Sequence, residues 1–141
     1  MPKDSANNLG LRKLIFVALL LAAAAAIIFA LVQDLPWHVP EAAKQVQNPL
    51  PPSEAEPEAT RALYQEKCAN CHGDTGRGDG REASQHFPAP TDFSDPKRTA
   101  SDGELFYKIS EGKRPMPSFK KRLTERQRWQ LVFLLRSFSS H

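Results

Sequence analysis

The sequence predicts a helical protein in three parts: a membrane-length helix, a proline-rich linker and a small helical head. Three observations carry that reading. An unbroken apolar run of nineteen residues spans Leu14 to Val32. Helix-starting sequences then recur three times, at Ser53, Ser101 and Thr124, each followed by apolar residues at helical spacing. The pentapeptide Cys68-Ala69-Asn70-Cys71-His72 ends the first of these helices, and no βαβ pattern surrounds it.

The apolar run comes first. At 1.5 Å per residue, nineteen residues make a helix of about 28 Å, against a bilayer core of about 30 Å. Arg12 and Lys13 flank its start, Lys3 lies further upstream, and Asp34 follows its end. Positive charge on the N-terminal side predicts that residues 1–13 stay in the cytoplasm and that the chain crosses once, through 14–32. A cleaved signal peptide is the competing reading, with Ala22–Ala26 as its small-residue site. The apolar run continues past those alanines through Ile27-Ile28-Phe29-Ala30-Leu31-Val32, which favours a retained anchor. The alanines also suit close packing against another membrane helix. Trp37, just beyond the span, suits either an interfacial anchor or a lone linker tryptophan.

Residues 33–56 form the expected linker. They hold Pro36, Pro40, Pro49, Pro51 and Pro52 and no sustained helical period. A proline-rich chain extends by about 3.1 Å per residue, so this segment can reach several tens of ångströms. It either lets the head swing between partners or lies ordered across the surface of a larger complex. The head itself is assigned to 57–141. Ser53 with Glu56 fits a capping box, Pro57 suits a first helical position, and Ala59, Ala62 and Leu63 lead to the pentapeptide.

Two thiols three positions apart with a histidine directly after the second form the attachment signature of c-type haem. Positions i and i+3 share a helix face, so Cys68 and Cys71 can reach both vinyl groups of one porphyrin. The imidazole of His72 then points at the iron as proximal ligand. Zinc would need a fourth ligand, and His38, His86 and His141 stand at no paired-ligand spacing. Both cysteines of the chain lie in this motif, so no structural disulfide or N-terminal lipid attachment is expected. The net charge of +3, without basic and aromatic residues interleaved, argues against nucleic acid.

The following segments read as the haem's surroundings. Gly73 to Gly80 holds four glycines in eight residues, a loop able to pass close to a ring. Asp79 stands where a phosphate-cradling loop needs lysine. In Phe87-Pro88-Ala89-Pro90-Thr91-Asp92-Phe93 the proline carbonyls can accept from the free ring N–H of His72, and Pro90 is the candidate, with Pro88 in reserve. Ser101 and Glu104 form a second capping box, and Gly112 fits that helix's stop. Met116, the only methionine besides Met1, lies between Pro115 and Pro117. Flanking prolines predict an extended, stiff loop that presents its thioether to the open face of the haem. The last helix starts at Thr124, with Gln127 completing a third capping box. Its broad apolar stripe of Leu131, Leu134, Leu135 and Phe138, widened by Trp129, Val132 and Phe133, predicts packing near Leu63 and Tyr64.

With these parts in place the chain resembles a class I cytochrome c. The resemblance covers roughly residues 55–141 and rests on CANCH, GDTGRGDG, PTDF, DGELFYKI, RPMPSF and RWQLVFLLRS in the family's order. It is similar in particular to haem-c domains in subunits of bacterial oxidases and periplasmic dehydrogenases. One departure is Leu134, where such domains often carry an aromatic. The resemblance implies a small all-α fold wrapped around one covalent haem c, with His72 and Met116 as axial ligands and no catalytic residue. It implies one-electron transfer between a donor and an acceptor protein, as a subunit or partner of a respiratory or photosynthetic complex. The expected location is the bacterial cytoplasmic membrane with the haem domain on the periplasmic side. The alternative is a haem enzyme or gas sensor with a labile Met116 bond.

Overall fold

The computed structural model describes residues 4–33, 37–97 and 100–139, and these fall into two units, Met1–Pro36 and Trp37–His141. The first unit is one helix, α1 (Asp4–Gln33). It starts ten residues before the apolar run, so Arg12 and Lys13 are helical rather than preceding the helix. Its stretch Gly10–Val32 is long and apolar enough to cross a membrane, and none of that stretch is buried by protein. Leu14, Phe16 and Phe29 are each more than 60% exposed, a state suited to lipid and costly in water.

The second unit is helical. It comprises α2 (Glu41–Lys44), α3 (Pro57–Lys67), α4 (Ala69–His72), α5 (Asp102–Glu111) and α6 (Glu125–Phe138), with 3₁₀ turns at Pro52–Glu54 and Ala83–Gln85. Among the described residues the sole β feature is an isolated bridge between Lys113 and Met116. The all-α expectation is met.

Helix α6 is the centre of the core. Trp129, Leu131, Val132, Leu134, Leu135 and Phe138 are all buried. Its start is the full capping box expected: Thr124 N–H donates to Gln127 Oε1 (2.9 Å) and Gln127 N–H to Thr124 Oγ1 (3.2 Å). One side of α6 crosses α3, where Tyr64 and Phe138 meet edge to face at 5.2 Å, the contact anticipated from the two stripes. Leu134 is buried where the family often has an aromatic, and the crossing is made without it. The other side takes α5, with Phe106 stacked on Trp129 at 3.9 Å. The Arg136 guanidinium also reaches Asp102 (2.8 Å) and the Ala100 carbonyl (2.6 Å).

The other two capping expectations need correction. Helix α3 has no side-chain cap. Its N-cap is Glu56, at φ +46°, and Ser53 lies inside the 3₁₀ turn. The carboxylates that could have capped are drawn away, since Glu54 and Glu56 both pair with Arg126 (2.6 and 3.1 Å). At α5, Ser101 Oγ accepts from Glu104 N–H, but the Glu104 carboxylate pairs with Lys108 (2.6 Å) rather than returning to Ser101. Only half of that box forms.

The structure gives most of the linker segment a definite course. Residues 37–56 are folded onto the head as a strap. Val39 is buried at 4% exposure. Ser101 Oγ donates to the Lys44 carbonyl (2.6 Å), Asn48 donates to the Trp129 carbonyl (3.1 Å), and Gln130 donates to the Glu54 carbonyl (2.9 Å). A proline-rich chain loses little entropy on being held straight, so a few such bonds can fix it. Residues 37–56 therefore add no free length to a tether. Of the expected linker residues, Asp34, Leu35 and Pro36 lie outside the described residues.

Gly103 shows how closely the strap is seated. A methyl group there would overlap the Ala43 carbonyl oxygen and crowd the Val46 carbonyl at 2.6 Å. Gly103→Ala should cost about 1–3 kcal/mol and speed tryptic cleavage after Lys44, read by mass spectrometry of timed digests.

Candidate functional site

The pentapeptide stands at a break between two helices. Helix α3 ends at Lys67, and Cys68 leaves helical geometry at φ −124°. The single turn of α4 then closes with His72 N–H on the Cys68 carbonyl at 2.9 Å. Gly73, at φ +77°, ends the turn in a conformation that only glycine adopts cheaply. Its carbonyl accepts from the buried Tyr64 hydroxyl at 2.8 Å. The apolar core thus holds the far end of the motif through one tyrosine.

The ring of His72 is held from the Phe87–Phe93 segment. Its Nδ1 lies 3.2 Å from the Thr91 carbonyl. A carbonyl only accepts, so Nδ1 carries the proton and donates, which leaves the Nε2 lone pair for a metal. The Phe93 ring lies over the imidazole at 4.9 Å, tilted by 30°. Burial lowers the His72 pKa and outweighs the opposite pull of the Thr91 bond, so the imidazole stays neutral as a ligand must. The expectation for Pro90 is therefore off by one residue. The Pro90 carbonyl instead packs against Gly78, where an added Cβ would sit 2.5 Å from it. The glycine loop is bonded both to the motif, with Gly78 N–H on the His72 carbonyl (2.8 Å), and to this segment, with Phe93 N–H on the Gly76 carbonyl (2.6 Å).

Met116 arrives from the opposite stretch of chain. Its loop is a tight turn closed by the Lys113–Met116 bridge, not the extended run expected from its prolines. The bridge and the Phe119 N–H to Ile109 carbonyl bond (3.1 Å) hold the turn against the end of α5. His72 and Met116 both line one cavity of about 330 Å³, whose apolar wall includes Leu105, Ile109 and Leu135. Sequence reasoning missed Thr91, Phe93 and Trp37, which also line it, together with Lys108 and Arg136. A carbonyl partner leaves no mark in residue type, so nothing in the sequence distinguished Thr91 from Pro90.

The two thiols are unpaired. Burial pushes the Cys68 thiol up to about 12 from 9.0, and that of Cys71 is also raised, by burial and then by Glu82. Donor atoms of Cys71, Glu82 and His86 lie within 4.8 Å of one another, with no fourth such donor grouped with them among the described residues. Zinc therefore still lacks a closed tetrahedral set. Two free thiols on one turn, a neutral histidine with Nε2 open, and a methionine on the same apolar cavity fit a covalently held porphyrin. Fold and site together define a class I c-type cytochrome.

Residues 55–133 match the family described as cytochrome c oxidase, cbb3-type, subunit III, and the chain belongs to that family. Haem c and electron transport follow from that membership. Among solved structures, the chain is similar to a chain of the Kuenenia stuttgartiensis reducing HAO-like protein complex Kustc0457/Kustc0458. The two share 33% identity over 72% of this chain, with a TM-score of 0.54. The match spans about half, 52%, of that longer chain. No curated protein matches in sequence.

In the chain before haem attachment, iodoacetamide should modify Cys71 faster than the more deeply buried Cys68 at pH 8, because the thiolate is the nucleophile. Differential alkylation and mass spectrometry read the ratio. The folded chain holds the Cys68 proton more tightly than the unfolded chain does. The stability of the haem-free form should therefore be full below pH 9.0 and decline as pH rises through about 12.

Proposed function

We propose that the protein is a membrane-tethered, monohaem electron carrier in which Cys68 and Cys71 hold haem c through thioethers and His72 and Met116 are its axial ligands. The observation that carries the reading is that His72 and Met116, forty-four residues apart in sequence, line the same apolar cavity. The bound haem supplies one reversible electron at iron. The protein's part is to orient and to exclude. Thr91 fixes the His72 tautomer and ring plane, Met116 closes the second axial position, and Leu105, Ile109 and Leu135 keep water away. With both axial positions filled, no iron site is left open to a substrate, which favours a carrier over a peroxidase or gas sensor. A thioether opposite histidine raises the potential and favours the reduced form.

Helix α1 is the tether in this reading. Arg12 and Lys13 put its N-terminal side in the cytoplasm and the haem domain on the periplasmic side of a bacterial membrane. The donor and the acceptor are redox proteins, and the chain is a subunit or close partner of a respiratory or photosynthetic complex. The cbb3-type family and the similarity to a chain of a redox complex support that assignment. Charge supports a partner surface as well. Residues 53–96 carry four basic and nine acidic side chains, and residues 97–141 carry eleven basic and four acidic ones. Arg114, Lys121 and Arg122 are exposed beside the Met116 turn, suited to steer an acidic partner at low ionic strength.

Replacing Met116 by Ala should leave haem attached, abolish the methionine–iron charge-transfer band of the oxidised protein, and lower the potential. The expected drop is on the order of 0.1 V, within the range of about 0.8 V that axial ligands span. Spectroelectrochemical titration reads it, and an unchanged potential and band would remove Met116 as ligand. Mass spectrometry of the acid-denatured protein should show one haem added, and none when Cys68 and Cys71 are both replaced by Ala.

A further inference from the structure

We propose that Trp37 closes one edge of the haem cavity, so that the strap behind the anchor is part of the haem-binding unit and sets its potential. The inference rests on the haem reading above. Trp37 is half-buried and stands on the cavity wall together with His72 and Met116. The Lys108 ammonium lies over the indole, 5.9 Å from its centre, and is itself held by Glu104 at 2.6 Å. A cation fixed between a carboxylate and an aromatic face resists the ring's swinging away.

The chain after Trp37 is fastened independently. Val39 is buried, the Lys44 carbonyl takes the Ser101 hydroxyl, Asn48 holds the Trp129 carbonyl, and Gly103 leaves no gap beneath Ala43 and Val46. Ser101, Gly103, Glu104 and Lys108 all belong to α5 or its cap, and Leu105 and Ile109 of the same helix line the cavity. One helix therefore forms the cavity wall and grips the strap that covers it. Trp37 is placed by the head itself, which is a different role from the interfacial anchor that its nearness to the span suggested. An indole over this edge removes water from beside the porphyrin, and lower solvent exposure raises the potential of the iron.

The test uses the full-length, haem-loaded protein in detergent. The covalent haem of the wild type is established first, so that failure of the haem reading and failure of this assignment register separately. Trp37→Ser should shift the ferric–ferrous balance about tenfold toward the ferric form, a fall of about 59 mV for one electron. Trp37→Phe, which restores apolar bulk, should return the potential to that of the wild type. Gly103→Ala, which unseats the strap without touching the indole, should lower it in the same direction. The haem stain and the axial-ligand absorption band should persist in all three, which separates closure from loss of the fold. Trp37→Ser with wild-type potential overturns the proposal, and so does an equal fall in the Ser and Phe variants.

Discussion

A hydrogen bond from the His72 ring to the carbonyl of Thr91 is the constraint on which the site depends. It fixes which nitrogen carries the proton, and so which one is left free to bind a metal. It also ties the short turn after Cys68 to a segment nineteen residues on, with the glycine loop between them. Two backbone bonds reinforce that tie, from Gly78 to His72 and from Phe93 to Gly76. The loop must pass close to the pinned segment, and Gly78, with φ +74°, has no room for a side chain beside the Pro90 carbonyl. The burial that keeps His72 neutral comes from the same packing, with the Phe93 ring over the imidazole.

The rest of the head opposes this assembly with α5, α6 and the Met116 turn. Helix α6 is buried on enough of its surface to serve two neighbours, α3 through Phe138 and α5 through Trp129. A head of this size has little core of its own, and a bound apolar cofactor adds to it. Two polar side chains inside make bonds that couple the elements. The Tyr64 hydroxyl reaches the Gly73 carbonyl, and the buried Arg128 lies over the Phe106 ring and bonds to Ser110.

The strap changes what kind of carrier this is. A free proline-rich arm would let the haem travel between distant partners. Here residues 37–56 are packed on the head, and Trp37 lines the same cavity as His72 and Met116. On the proposed reading, a redox partner would meet a haem whose surroundings include the strap that follows α1. Arg114, Lys121 and Arg122, beside the Met116 turn, are left exposed by this packing.

Read alone, the sequence determined the parts whose chemistry is local. The thiol spacing and adjoining histidine identify the cofactor, the apolar run identifies a membrane-length helix, and Thr124 with Gln127 marks a helix start that forms as expected. Each of these depends on residues within one or two turns of each other. Tertiary structure alone decided which carbonyl holds His72, whether Glu56 and Glu104 cap their own helices or pair with Arg126 and Lys108, and where the proline-rich segment goes. Those outcomes are competitions between a local partner and one brought in by folding. A backbone carbonyl or a strap of prolines carries no side-chain signature to say which will win. Trp37 is the clearest case, because its residue type suits a membrane interface and a cavity wall equally well, and only its neighbours on α5 distinguish them.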